Sequence, residues 1–91
     1  MADWEKVLFN LSDTKILFYL EEKESSSYSE LLGRVIKSRS TLASSLTDLQ
    51  EMKLIERKVK DSRPIRTEYL LTKRGKELVQ LLSSVKSLLD L

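Results

Sequence analysis

The spacing of apolar residues changes twice along the chain, and that change constrains the fold more than any other feature. In the first half, apolar side chains recur every three or four positions, as on one face of a helix. From residue 55 to 71, apolar and polar residues alternate on either side of the turn sequence Asp61-Ser-Arg-Pro64, which predicts a β-hairpin. Helical spacing returns after Thr72, which can cap the last helix. This order of elements predicts a mainly helical α+β domain with a small β-hairpin.

The N-terminal part of the chain predicts two helices and a connector. Apolar residues spaced as one face of a short helix come first: Trp4, Val7, Leu8 and Leu11. Ser12 and Asp13 then offer caps at which the chain breaks and restarts. Five successive apolar residues, 16–20, predict a second helix that is buried on every side. Residues 24–27 are interpreted as a connector whose serines can cap the helix that follows.

Two further helices joined by a tight turn are predicted in the middle of the chain. Ser27 and Glu30 have the spacing of a capping box, although Ser29 could cap this helix instead. The turn falls at residues 37–38, and Ser38 or Ser40 caps a helix that reaches about residue 52. This last helix has an apolar stripe formed by Leu42, Leu46 and Leu49. Its opposite face is short and polar apart from one arginine: Arg39, Ser40, Thr41, Ser44, Ser45, Thr47 and Asp48.

Two helices and a tight turn followed by a basic hairpin predict a helix-turn-helix with a wing. A helix that enters a DNA major groove, about 12 Å wide, needs an outer face that is neither bulky nor anionic. The predicted base-reading residues are therefore Arg39, Ser40, Thr41, Ser44 and Ser45. The predicted contacts to the phosphate backbone are Lys37, Arg57, Lys58, Lys60, Arg63 and Arg66.

Several of these residues also have a simpler interpretation. The serines and threonines of the polar face could be merely solvated. Arg57 alternates with core positions, so an internal ion pair is as plausible for it as a phosphate contact. Asp48 is expected at the groove edge, or paired with a neighbouring basic side chain, rather than on a cytosine. Four aromatic residues could line an effector pocket, although core or interface positions are favoured for them: Trp4, Phe9, Phe18 and Tyr19. Whether any effector binds is left open.

Charge is distributed unevenly, although the chain carries a net charge of only +2. Residues 1–24 contain six acids and three lysines, whereas residues 34–76 contain twelve Lys and Arg and five acids. Such a basic middle segment favours a polyanion as partner. A solvated basic surface on a small protein would give the same pattern.

Composition excludes several other classes of function. The chain contains no cysteine and no histidine, so thiol chemistry and zinc sites of the usual kinds are excluded. General-base catalysis also loses its commonest residue, and we expect no enzyme, no cofactor and no metal site. No apolar run approaches the roughly 20 residues that span a bilayer, and the acidic start is unlike a signal peptide. We therefore expect no membrane partner and a cytoplasmic location.

The last helix carries more apolar surface than one small domain needs. Its apolar stripe consists of Leu78, Leu81, Leu82, Val85, Leu88 and Leu89. The first three complete the core of a single domain, 1–91, while the others continue the stripe with little left to cover them. We therefore expect residues 1–12 and 79–91 to form dimerisation helices. The predicted homodimer interface is Trp4, Val7, Leu8, Leu11, Val85, Leu88 and Leu89. Alternatively, the N-terminal helix folds onto the tail and completes a monomer.

Three stretches of the chain resemble the winged-helix regulators of the HxlR type and, more loosely, the MarR group. They are Tyr28-Ser-Glu-Leu31, Leu49-Gln-Glu-Met-Lys-Leu-Ile-Glu-Arg57 and Pro64-Ile-Arg-Thr-Glu-Tyr-Leu-Leu-Thr-Lys-Arg-Gly-Lys-Glu-Leu78. The resemblance implies a dimeric, DNA-binding transcriptional regulator of bacteria or archaea. Lys53 stands where such proteins usually have glycine, so the helix end there is open to a different construction. Many of them carry an N-terminal cysteine that this chain lacks, so cysteine-based sensing is not implied.

Together these observations predict sequence-specific binding of double-stranded DNA by a homodimer, most simply as a repressor. The alternative is a winged-helix module that binds protein partners within a larger assembly. Such a module tends to expose apolar anchors on its recognition helix. The predicted polar face contains none, which favours DNA.

Overall fold

The structure, a computed structural model, describes residues 10–60 and 66–89 of the chain. Within these ranges the elements are α1 (Leu11–Lys23), β1 (Ser25–Ser27), α2 (Tyr28–Arg34), α3 (Arg39–Glu51), β2 (Ile55–Lys60), β3 (Arg66–Leu71) and α4 (Lys73–Leu89). The predicted mainly helical α+β fold with a β-hairpin is confirmed. The predicted hairpin turn at 61–64 lies outside the described residues. No helix in the described ranges is both long and apolar enough to cross a membrane.

Helix α1 begins earlier than the sequence predicted. The Asn10 side chain accepts a hydrogen bond from the backbone N–H of Asp13 at 3.1 Å, so Asn10 caps this helix. The predicted break at Ser12 and Asp13 is therefore wrong, and Leu11 belongs to α1. The other residues of the predicted N-terminal stripe, Trp4, Val7 and Leu8, lie outside the described residues.

A short strand replaces part of the predicted connector. Residues 25–27 form β1, which pairs antiparallel with β3 so that Ser25 lies opposite Leu70 and Ser27 opposite Glu68. The sheet order is β1-β3-β2. Three consecutive serines show no alternation of apolar and polar residues, so the sequence carries no signal for a strand here. Backbone hydrogen bonds to β3, rather than the serine side chains, create β1.

The predicted helix caps of the helix-turn-helix are confirmed. The Ser27 hydroxyl accepts from the N–H of Glu30 at 3.1 Å and caps α2, so Ser27 rather than Ser29 begins this helix. Gly33 has a φ of 108°, which lets the chain leave the helix towards the turn. The Ser38 hydroxyl accepts from the N–H of Thr41 at 3.3 Å and caps α3.

The core lies between α1, the apolar face of α3 and the sheet. Its buried apolar side chains are Ile16, Leu17, Leu20, Leu31, Ile36, Leu42, Leu46, Leu49, Leu54, Ile55, Tyr69, Leu71 and Val79. Phe18 and Tyr19 are only partly buried, so α1 is covered on most sides rather than on every side.

Helix α4 makes its closest contacts with the core through two small residues. Gly75 and Val79 are buried, and a Cβ atom at Gly75 would collide with the backbone carbonyl of Leu54. Leu81 was predicted to be a core residue, but it is 65% exposed. The prediction is wrong for Leu81 only, since Leu78 and Leu82 are partly buried against the core. The helix is rotated so that Gly75 and Val79 pack closest to the domain and Leu81 turns outward.

The end of α3 has the geometry that glycine usually supplies. Lys53 has a φ of 59°, in the left-handed region. The N–H of Lys53 donates to the Gln50 carbonyl at 3.0 Å, and the N–H of Leu54 donates to the Leu49 carbonyl at 2.9 Å. This pair of hydrogen bonds is the Schellman motif. The departure from glycine at Lys53 therefore leaves the construction of the helix end unchanged and adds backbone strain.

We expect Lys53→Gly to stabilise the fold by about 0.5–1 kcal/mol, because relief of left-handed strain exceeds the entropy that glycine adds to the unfolded chain. Urea denaturation at fixed protein concentration measures the change. Ala43→Gly, on the exposed face of α3, is the matched control and should cost about 1 kcal/mol. Destabilisation by Lys53→Gly would contradict the assignment of strain.

Candidate nucleic-acid interface

Helix α3 has one continuous exposed face made of short side chains. Its apolar stripe packs into the core, which turns the opposite side of the helix towards solvent. The exposed residues in its first three turns are Arg39, Ser40, Thr41, Ala43, Ser44 and Thr47. Four of the five predicted base-reading residues are among them. This surface is referred to below as the α3 face.

Ser45 is the exception among the predicted base-reading residues. It is only 2% exposed, because it lies three positions after Leu42 and four before Leu49, on the buried side of the helix. Asp48 is 7% exposed, so its predicted place at the groove edge is also wrong, while pairing with a neighbouring basic side chain stays a prediction. Burial of this aspartate removes a carboxylate from the surface that would approach DNA.

The sequence prediction did not include Ala43 in this surface. It placed Thr47 on the polar face but assigned no DNA contact to that residue. The helical spacing contains the necessary signal, since Ser40, Ala43 and Thr47 follow one another at i, i+3 and i+7. At about 100° per residue, these three positions lie within about 60° of one another around the helix. Alanine has no polar group, so hydrogen-bonding capacity alone does not identify Ala43 as part of the surface.

The N-terminal end of the α3 face is positively polarised. Lys37 and Arg39 are exposed beside the cap, and the Ser38 and Ser40 hydroxyls lie 3.1 Å apart. The first N–H groups of a 13-residue helix add the positive end of its dipole. Such a helix end favours a phosphate group.

The hairpin adds further cations next to α3. Arg57 and Lys58 are exposed on β2, so Arg57 is not buried in an internal ion pair. The Lys58 Nζ lies 3.7 Å from the Glu56 carboxylate, an exposed ion pair that contributes little. Lys60 and Arg66 lie opposite each other in the ladder, next to the hairpin turn. Arg63 lies outside the described residues.

A partly buried cluster of hydrogen bonds connects the helix-turn-helix to α1 and β1. One carboxylate oxygen of Glu30 accepts from the Tyr19 hydroxyl at 2.6 Å and from the Ser26 hydroxyl at 3.1 Å. The hydrogen bond from Tyr19 is the main reason that the pKa of Glu30 lies below its ordinary value. The same bond raises the pKa of Tyr19. The ionised carboxylate therefore positions α2, the first helix of the helix-turn-helix, on its scaffold.

We expect Glu30→Gln to destabilise the fold at pH 7 and to matter less in acid. Because the folded-state pKa is depressed, the stabilisation is complete above the unfolded pKa, about 4.3, and is lost as pH falls through the lower folded value. Urea denaturation at pH 7 and pH 3 measures it, with exposed Glu21→Gln as the matched control. An equal loss at both pH values would contradict the role of the charge.

A helix-turn-helix followed by an exposed basic hairpin defines the class of winged-helix DNA-binding domains. The model of the HxlR-like helix-turn-helix family matches residues 13–90, and the chain belongs to this family. Among curated proteins, none matches the sequence significantly.

Solved structures of transcriptional regulators share the fold. The transcriptional regulator homologue from Pyrococcus horikoshii OT3 is 21% identical, with a TM-score of 0.82 over 96% of this chain and 88% of that chain. A PadR-like transcription factor from Bacteroides fragilis is 26% identical, with a TM-score of 0.72 over 86% of this chain and 82% of that one. Reduced YodB from B. subtilis is 20% identical, with a TM-score of 0.74 over 96% and 89%.

Proposed function

We propose that this chain is a homodimeric transcriptional regulator that binds specific sequences in double-stranded DNA, most simply a repressor that occludes a promoter. The observation that carries the proposal is the α3 face. Its short side chains allow the helix backbone to approach base edges, and its exposed part up to Thr47 carries no carboxylate.

Charge around the α3 face supports the same partner. Exposed Lys37 and Arg39 lie at its N-terminal end, and exposed Arg57 and Lys58 lie on the adjacent strand. Cations at the start of a recognition helix and on the strand that follows it are suited to the phosphates that border a groove. The bases are then read by the α3 face, while the flanking cations set affinity and register.

The surface of α3 does not favour a protein-binding module. Large exposed apolar side chains in the described ranges are Leu11, Val59, Leu81, Val85, Leu88 and Leu89. None of them belongs to α3, so the recognition helix offers no apolar anchor for a protein partner.

The apolar side of α4 supports the homodimer. Measured from buried Val79, the exposed residues Leu81, Val85, Leu88 and Leu89 lie about 80–180° around the helix at about 100° per residue. Leu88 and Leu89 are each 75% exposed. These four residues are referred to as the leucine side of α4. This side points away from the core of its own domain, as expected if a second copy covers it.

The same surface continues onto α1. A groove of about 460 Å³ between α1 and α4 is lined by Phe18, Leu82, Val85 and Leu89 among others. Leu11, at the start of α1, is 69% exposed. A two-fold partner would fill this groove and present two α3 faces about 34 Å apart, matching a near-palindromic site on one side of the duplex.

Duplex affinity should fall steeply as salt concentration rises, with a log–log slope of about −0.9 for each neutralised phosphate. Combined reversal of the wing cations, Lys58→Glu, Lys60→Glu and Arg63→Glu, should flatten that slope and weaken all sequences alike. Fluorescence anisotropy over a salt series measures both effects. Lys58→Glu alone, compared with Lys23→Glu on α1, controls for net charge. An unchanged slope in the triple variant would show that the hairpin is not a DNA-contacting wing.

The dimer should depend on the leucine side of α4. Sedimentation equilibrium at micromolar concentration should give twice the 10.6 kDa chain mass for the native protein and a single chain mass for Leu88→Asp. Ser87→Asp, one position away on the same helix, is the matched control and should remain dimeric. A native protein that sediments as a monomer would contradict the proposal.

A further inference from the structure

We infer that the α3 face recognises thymine by contact with its C5-methyl group, through the methyl groups of Ala43 and Thr47. The inference rests on the proposed DNA binding and goes further, because it names the bases that the helix prefers. Each half-site would then contain two thymines whose methyl groups, rather than their hydrogen-bonding edges, are read.

The centre of the α3 face contains no long polar side chain. Base pairs are most often distinguished by bidentate contacts from arginine, lysine, asparagine or glutamine. Between Arg39, in the first turn, and Gln50, in the last, the exposed residues are Ser, Thr and Ala only. Bidentate readout is therefore confined to the N-terminal end of the helix.

The polar residues near the other end of the helix are engaged elsewhere or badly placed. The Gln50 amide nitrogen donates to the Leu46 carbonyl at 3.1 Å, which draws its amide back onto its own helix. Asp48 is buried and cannot accept from a cytosine amino group on this face. Glu51 follows Arg39 by 12 residues, about 18 Å along the helix, whereas base edges are read mainly by the N-terminal part of such helices.

What remains at the centre is a pair of methyl groups with two serine hydroxyls along one side of them. Ala43 and Thr47 are exposed one helical turn apart on the same side, and Ser40 and Ser44 lie beside them. Serine hydroxyls can donate or accept and so tolerate any base, whereas alanine and threonine methyl groups pack against the thymine methyl. Thr41 also exposes a methyl group but lies about 120–160° around the helix from these two, so the discrimination at this part of the helix falls to Ala43 and Thr47.

The spacing of the two methyl groups sets the spacing of the thymines. Four residues of helix advance about 6 Å, and stacked bases follow at about 3.4 Å along one strand. For a helix lying along the groove, the two preferred thymines are therefore about two base pairs apart. Guanine is expected further towards the N-terminal end of α3, where Arg39 is exposed.

Deoxyuridine substitution tests the inference, because uracil pairs as thymine does and lacks only the C5-methyl group. Duplexes are first selected from a random pool with the full chain. Each thymine of the consensus is then replaced singly by deoxyuridine, and the affinity of the native protein is measured. At two positions per half-site we expect a loss of about three- to fivefold, the value of one buried methyl group.

Variants assign each methyl contact to its residue. Because both subunits of the dimer lose the contact, Thr47→Ser should lower affinity for the thymine duplex about ten- to twentyfold and abolish the penalty for deoxyuridine at one position of each half-site only. Thr47→Val, which keeps a methyl group, should retain that penalty. Ala43→Gly should abolish it at the other position, with a thermal melt to verify that the variant is folded. If a variant does not fold, the deoxyuridine series measured with the native protein still tests whether thymine methyl groups are recognised.

Two results would overturn the inference, and they are distinguishable. If the native protein selects a consensus but tolerates every deoxyuridine within twofold, methyl recognition is wrong while the proposed DNA binding stands. If the protein binds no duplex at all, the proposed function and the inference fail together.

Discussion

The backbone carbonyl groups of Lys53 and Leu54 hold the recognition helix, the hairpin and α4 in one arrangement. The Thr72 hydroxyl donates to the Lys53 carbonyl at 2.7 Å and accepts from the N–H of Gly75 at 3.0 Å, while the N–H of Thr72 donates to the Leu54 carbonyl. Thr72 thus caps α4 and ties its first turn to the end of α3. Gly75 completes the junction, because only a residue without a side chain fits against the Leu54 carbonyl.

Both proposed functional surfaces depend on this junction. By bringing the glycine of α4 against the domain, it leaves the leucine side of that helix exposed for a second copy. By fixing the end of α3 and the start of β2, it sets the direction in which the strand that carries exposed Arg57 and Lys58 leaves the recognition helix. A small domain can therefore hold a DNA-reading surface and a self-association surface at a defined angle without a second core.

Those parts of the fold that rest on local physical chemistry could be predicted from the sequence. Alternating residues predicted the hairpin, and the hydroxyls of Ser27, Ser38 and Thr72 predicted three helix starts, because caps and strand alternation depend on near neighbours. The family resemblance rested on these same segments and is confirmed by the match over residues 13–90.

What could not be predicted depends on distant parts of the chain. The serines of β1 become a strand only because β3 lies beside them. Asp48 lies at the boundary between the two faces of α3, where the packing of neighbouring elements decides burial, whereas the burial of Ser45 follows from helical spacing alone. The rotation of α4, which exposes Leu81 and buries Val79, depends on the close approach of Gly75 to Leu54.

The central claim is that the α3 face enters the groove of a DNA duplex. Backbone amide chemical shifts of the ¹⁵N-labelled protein, measured as a selected duplex is added, test it most directly. The largest shift changes are expected at Ser40, Ala43, Ser44 and Thr47, with a second group at Arg57 and Lys58 on β2. Changes concentrated on the leucine side of α4, with α3 unaffected, would contradict it.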